Sequence, residues 1–396
     1  MSVSEKPVLK PDETNPYAWH AARFWHGMTL RVWLPLLGRH LRSMHPKNYG
    51  MAGTVSFAAA ICSTMSWLQR RLLEPRVAEV KLVDTPLFVI GHWRSGTTLL
   101  HELLSLDERF TSPTTFQAIN PEHFLVSGWW VPKLRFLMPA MRPMDDMRMG
   151  WDRPQEDEFA LCNMGVPSPY LHLAFPRERD QYKCYLDFEG VSPEFLALWK
   201  ASLLRFLQRV TYRDPRRIVL KSPPHLARVA TLRELFPDAR FIHIVRDPGA
   251  VFSSSVKLWN TLYASQAFEK PPADGLEEFI FTCFERMYRA FERERPALPP
   301  DRLCEVRYED LVRDPVGRMR GLYEQLELGQ FELVEPKITD YFAQRPNYRV
   351  NQHRLDAAKR RAIFDRWGRY MERYGYTAEP AAAPEVPATT SHAAPA

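Results

Sequence analysis

Residues 87–104, Leu-Phe-Val-Ile-Gly-His-Trp-Arg-Ser-Gly-Thr-Thr-Leu-Leu-His-Glu-Leu-Leu, constrain the fold of this chain more than any other segment. An apolar run from Leu87 to Ile90 stops at Gly91. Gly96 follows five residues later, then Thr97 and Thr98, then apolar residues at helical spacing: Leu99, Leu100, Leu103 and Leu104. That is strand, tight loop and helix, with the glycine spacing of a loop that cradles a phosphate. In such a loop, backbone N–H groups and the positive end of the following helix bind an anion. A nucleoside-triphosphate loop has Lys directly after its second glycine; here Thr97 stands there, and the loop's fixed cation is Arg94. The expected ligand is a single 5′-phosphate carrying a second anionic group, not a triphosphate with its metal.

Beyond this segment the chain alternates strand-like and helix-like stretches. Apolar runs predict strands over 87–90, 217–220, 240–245 and 303–307. Helical spacing predicts helices over 98–106, 225–236, 249–259 and 310–326, and two longer ones over 194–212 and 276–293. Pro193 and Pro296 flank the longer pair as start and stop signals. The alternation predicts an α/β fold, a parallel sheet flanked by helices on both faces. Ligands of such sheets bind beyond the carboxyl ends of the strands, where Gly91, Lys221 and Arg246 fall.

At 396 residues the chain can hold one large α/β domain with an added helical region, or two modest domains. A formal net charge of +6 suits an anionic ligand, but no Lys/Arg block forms a nucleic-acid stripe, so no nucleic-acid partner is expected. Five widely separated cysteines, without a C-x-x-C pair, read as reduced thiols, neither a disulfide framework nor a metal site. Glu5, Lys6, Lys10, Asp12 and Glu13 do not suit a secretory leader, so a cytoplasmic protein is expected. The longest uncharged run, 48–69, fits a buried helix better than a membrane span.

The loop Arg94-Ser95-Gly96-Thr97-Thr98 resembles the 5′-phosphosulfate loop of sulfotransferases that use 3′-phosphoadenosine 5′-phosphosulfate (PAPS). Arg240-Phe-Ile-His-Ile-Val-Arg-Asp-Pro-Gly-Ala-Val-Phe-Ser-Ser254 is similar to their 3′-phosphate site, with Arg246 delivered by a strand and Ser254 by the next helix. Lys221 at the end of Ile218-Val-Leu-Lys, and Tyr308 in Val306-Arg-Tyr-Glu-Asp-Leu, complete the family's order along the chain. The resemblance implies transfer of a sulfuryl group from PAPS to a hydroxyl of a small-molecule, carbohydrate or lipid acceptor, without a metal. It implies donor contacts from Gly91, Arg94, Ser95, Gly96, Thr97, Thr98, Arg246, Ser254 and Tyr308. Arg94 and Lys221 would stabilise the charge that develops on the leaving oxygen. Many cytosolic members have a Trp after the two threonines where this chain has Leu99, so the adenine pocket is expected to differ.

The acceptor hydroxyl needs a general base. The cytosolic branch has a His two residues after the strand-end Lys; here that position is Pro223, and His225 comes two later. With Ser222 as N-cap, His225 would sit near a helix N-terminus, where the dipole favours the neutral ring. Other branches use a Glu, and Asp152-Arg-Pro-Gln-Glu156-Asp157-Glu158 offers Glu156 first and Glu158 second. The alternative for this acidic trio is capping of a helix start.

Residues 1–80, with Phe24-Trp25 and Leu30-Arg-Val-Trp-Leu-Pro-Leu-Leu, are expected to be a helical extension packed on the main domain. A peripheral membrane contact through these helices is the alternative. Residues 81–376 would form the main domain, 107–193 an acceptor-side insertion, and 377–396 a disordered Ala/Pro-rich tail. Two rival functions are a kinase or NTPase on the same loop, and a nucleotide-binding scaffold without catalysis.

Overall fold

The computed structural model describes residues 22–133, 150–345 and 355–377. Residues 1–21 of the expected extension and 378–396 of the expected tail lie outside the described residues. Five strands, β1 (Leu87–Ile90), β2 (Phe110–Thr111), β3 (Arg217–Lys221), β4 (Arg240–Val245) and β5 (Leu303–Arg307), form a parallel sheet in the order β2-β3-β1-β4-β5. Alternate side chains of a strand point to opposite faces. Phe88, Ile90, Leu220, Phe241 and Val245 join one buried apolar cluster, and Leu87, Val89, Val219, Ile242 and Ile244 join a second. Both faces are sealed, as the apolar strand runs require.

The helices that matter here are α1 (Leu30–His40), α2 (Tyr49–Leu72), α3 (Thr97–Leu104), α4 (Asp157–Asn163), α5 (Pro193–Arg213), α6 (Pro248–Gln266) and α7 (Leu276–Glu294). Leu99, Leu100 and Leu103 of α3 pack on the second face, and Trp199, Leu203 and Phe206 of α5 on the first. Local signals set the starts. The Ser192 hydroxyl accepts the Phe195 N–H before α5, and the Asp247 carboxylate accepts the Ala250 N–H before α6.

Three expectations from sequence change. The predicted helix over 310–326 is two helices, Tyr308–Arg313 and Pro315–Gln325, because Pro315 disfavours helical geometry at Asp314. The stretch 225–236 is a 3-10 turn, Pro223–Ala227, followed by a helix, Val229–Leu235. The stretch 107–193 opens with β2, which pairs with Arg217 and Ile218 at the sheet edge. A two-residue strand is too short for any periodicity to announce it.

In the N-terminal region α1 and α2 lie antiparallel. The Leu30 N–H donates to Ser63 Oγ and Trp33 Nε1 to Ser56 Oγ, both at 2.8 Å. The inner face of α2 buries Val55, Ala59, Cys62, Ser66 and Gln69. On the opposite face Phe57, Ile61 and Trp67 point to solvent.

Burial also fixes how the chain responds to acid. It lowers His26, which lies near Arg23, and likewise His92 and His123, to about 4. It lowers His101 and His172 to about 3, with help from Lys221 and Arg179 respectively. Unfolded, each histidine titrates near about 6.5. Between these values the unfolded chain binds protons that the folded chain does not, so stability falls as pH drops from the unfolded toward the folded value. The melting temperature should decline steeply from about pH 6.5 to about pH 4. A flat profile across that window would show these rings to be solvated.

Candidate active site

The strand order places the functional side chains. The chain leaves β1 toward β3 and β2, and leaves β4 toward β5, so the crevice at the carboxyl ends of β1 and β4 is the topological switch point where such sheets take ligands. Arg94 comes to it from the β1 loop and Arg246 from the end of β4. Arg246 Nη1 donates to the Arg94 carbonyl at 2.9 Å, and Arg94 Nε donates to Ser254 Oγ on α6 at 2.7 Å. The two phosphate contacts expected from sequence therefore form one joined cluster. The Arg246 guanidinium lies 4.3 Å over the Tyr308 ring, and its Nε is buried with no hydrogen-bond partner among the described residues.

The loop backbone is shaped for this. Arg94 has φ +67°, a left-handed conformation that a non-glycine residue holds only under constraint. Ser95 turns inward, its N–H and hydroxyl both donating to the His92 carbonyl. Gly96 is the N-cap of α3, so neither Thr97 nor Thr98 has the capping role. Gly96 has φ +106°, and a Cβ there would lie 2.4 Å from the Tyr308 ring. Gly96→Ala should therefore destabilise the fold by about 1–3 kcal/mol and displace Tyr308 together with Arg246. Chemical denaturation would measure the first effect and nucleotide titration the second.

On the β3 side, Lys221 Nζ meets Glu156 Oε1 at 2.6 Å. The other oxygen, Oε2, accepts from the Tyr170 hydroxyl, which in turn accepts from Trp93 Nε1 at 3.0 Å. Burial and the adjoining Glu156 carboxylate push the Tyr170 phenol well above its ordinary range, so it stays protonated as a donor. Glu156 is the N-cap residue of α4, but its side chain makes no capping bond. Its carboxylate keeps 14% side-chain exposure beside a Lys221 at 4%. A carboxylate, an ammonium group and a phenol thus meet at the carboxyl end of β3, beside β1.

The two other acidic residues and His225 are sealed inside. Asp157 is fully buried, with one oxygen accepting from the Ser222 hydroxyl and the other 2.8 Å from His225 Nε2. Burial would raise the Asp157 carboxyl, but the His225 ring and the Ser222 hydroxyl outweigh it and hold it below its ordinary value. Glu158 pairs with Arg228 and accepts from Ser168 Oγ at 2.6 Å. Ser222 is spent on this network, so the expected cap before His225 does not form. His225 sits edge-on to Phe88 and Trp199 in the core. Neither His225 nor Glu158, both base candidates from sequence, faces the crevice.

Residues 86–332 match the profile of the Sulfotransferase family. The chain belongs to it. Over 364 residues, 91% of this chain and 94% of the relative, it is 41% identical to omega-hydroxy-beta-dihydromenaquinone-9 sulfotransferase Stf3 of Mycobacterium bovis. It is 25% identical over 270 residues to human carbohydrate sulfotransferase 6, covering 60% of this chain and 62% of that one. Among solved structures, sulfotransferase STF9 of Mycobacterium avium superposes with a TM-score of 0.64, covering 90% of this chain and 92% of that one at 19% identity. STF1 of Mycobacterium tuberculosis H37Rv gives 0.58, with 87% and 93% covered at 18% identity. The protein is a sulfotransferase with the fold expected from sequence, and the kinase and scaffold readings fall away.

Sequence reasoning missed Tyr170 and Trp93 in this sulfotransferase site. Trp93 was discoverable, since it stands inside the phosphate loop next to Arg94. Tyr170 carried no signal, because only the fold of the insertion carries it to Glu156. Leu99, where many cytosolic members have Trp, is buried in the second apolar cluster.

Proposed function

We propose that this sulfotransferase uses PAPS as donor and a primary hydroxyl on a prenylated quinone lipid as acceptor, with Glu156 as the base. The pairing of Glu156 with Lys221 and Tyr170 beside the Arg94–Arg246–Ser254 cluster carries the mechanism. The 41% identity to a protein named as a menaquinone-derivative sulfotransferase carries the acceptor. The donor fits the residues present: an unpartnered buried Arg246 Nε, Ser254, Arg94 and a helix N-terminus converge at the switch point.

Chemically, the acceptor oxygen attacks sulfur while the bond from sulfur to the bridging phosphate oxygen breaks. The electron pair leaves with adenosine 3′,5′-bisphosphate. The acceptor proton passes to Glu156. Each carboxylate oxygen keeps a lone pair beyond its present hydrogen bond, so Glu156 can accept the hydroxyl without losing Tyr170. Lys221 and Arg94 stabilise the charge growing on the leaving phosphate, an interaction stronger in the transition state than before it. Tyr170, held by Trp93, fixes the carboxylate.

Incubation with sulfur-labelled PAPS and either an ω-hydroxylated menaquinone or a panel of N-acetylated sugars tests this reading. Labelled quinone sulfate is expected. Labelled sugar alone would overturn the acceptor, and quinone sulfate that carries none of the PAPS label would overturn the donor.

A further inference from the structure

The α1–α2 hairpin has an outward face that the fold leaves uncovered. Phe57 and Trp67 on α2 are 72% and 63% exposed, and Ile61 lies one turn from Phe57. Leu34 on α1 and Leu41 just after it are also exposed. Large apolar side chains grouped on two packed helices exceed the scattered exposure of an ordinary surface.

The charge around them is one-sided. From Leu30 to Leu73 the sequence has no Asp or Glu. Its six cations, Arg31, Arg39, Arg42, Lys47, Arg70 and Arg71, are all exposed, Arg39 while pairing with Glu178 at 3.5 Å. Apolar side chains that include Trp, set among exposed cations, are the pattern of a helix lying in a lipid interface. A second copy of this chain fits poorly, because a two-fold contact would set cations against cations.

We infer that this hairpin face docks on the surface of an anionic lipid bilayer. The segment Pro46–Leu72 is long and apolar enough to cross a membrane, but its inner face forbids that. Gln69 Oε1 accepts the Leu125 N–H at 2.9 Å, Ser66 Oγ meets Glu122 at 3.2 Å, and Thr54 meets His26. The first two contacts join the C-terminal end of α2 to the main domain and the third joins the helix to the preceding turn, and crossing would strip them into hydrocarbon. The helix therefore lies flat, with Phe57, Ile61 and Trp67 among the acyl chains and Arg70 and Arg71 at the phosphates. The inner side of the hairpin runs toward the site: Phe24, in the turn packed on α2, stacks on Phe159 at 4.1 Å, and Phe159 packs on Tyr170 at 4.6 Å. Docking would bring a lipid acceptor's own membrane to the enzyme.

Co-sedimentation of the full chain with phosphatidylcholine vesicles, with and without roughly a third phosphatidylglycerol, tests the inference. The chain should sediment with the anionic vesicles and bind the neutral ones about tenfold or more weakly. Phe57→Ser/Trp67→Ser and, separately, Arg70→Glu/Arg71→Glu should each weaken anionic binding by about tenfold or more, with thermal unfolding unchanged. Vesicle association needs neither donor nor acceptor, so docking and sulfuryl transfer can fail separately. Absence of binding to both vesicles, or variants that bind like the parent, would overturn the inference. So would a concentration-dependent dimer, formed without vesicles and broken by Phe57→Ser/Trp67→Ser, which would assign the face to a second copy.

Discussion

Glu156→Gln should lower the single-turnover rate of sulfuryl transfer by about 10²–10⁴-fold, the usual contribution of a positioned base, while leaving affinity for adenosine 3′,5′-bisphosphate near that of the parent. The amide keeps the shape, and its one carbonyl oxygen can still accept from Lys221, which now holds Oε1, while its NH2 can only donate and so turns to the Tyr170 oxygen. What it loses is the ability to take the acceptor's proton. Nucleotide affinity is the control, because Glu156 holds Lys221, the cation proposed for the leaving group. If transfer stays near normal, another group takes the proton. If affinity falls as far as the rate does, Glu156 acts by placing Lys221.

The second large effect is on stability. Glu158→Ala would leave the Arg228 guanidinium, fully buried, without its carboxylate. Arg228 also donates to the Leu186 and Tyr185 carbonyls and lies 4.4 Å over the Phe188 ring, but none of these carries a charge. Removing one partner of a buried ion pair typically costs about 3–5 kcal/mol. An unfolding free energy lowered by that amount in chemical denaturation is expected, with transfer per folded molecule little changed at low temperature. An unchanged midpoint would mean that water reaches Arg228.

The outcomes at individual residues show what the sequence made legible. The strands β1 and β4 match their predicted bounds, each a largely apolar stretch closed by Gly91 or Arg246, and β5 matches although Glu305 interrupts it. The phosphate loop was readable because its glycines answer to backbone geometry: Gly96 holds a positive φ against the Tyr308 ring. Side-chain partnerships were not readable. Asp157 and Glu158 stand beside Glu156 in sequence, and helix geometry alone turns their carboxylates inward to His225 and Arg228. Lys221 finds Glu156 across 65 residues and an insertion whose path no local pattern fixes. The mixed character of α2 was hidden for a similar reason. Its small and apolar residues run around the whole helix, so periodicity could not separate the face that packs from the face that does not.

The proposed mechanism depends on Arg246 and Ser254 holding the nucleotide's 3′-phosphate, with Arg94, joined to both, serving its 5′-phosphate. Calorimetric titration of adenosine 3′,5′-bisphosphate against adenosine 5′-monophosphate, into the parent chain and Arg246→Ala, tests it most directly. The parent should prefer the bisphosphate by about tenfold to a hundredfold or more, as hydrogen bonds to a charged group imply, and Arg246→Ala should lose most of that preference. Equal affinity of the parent for the two nucleotides would contradict the account.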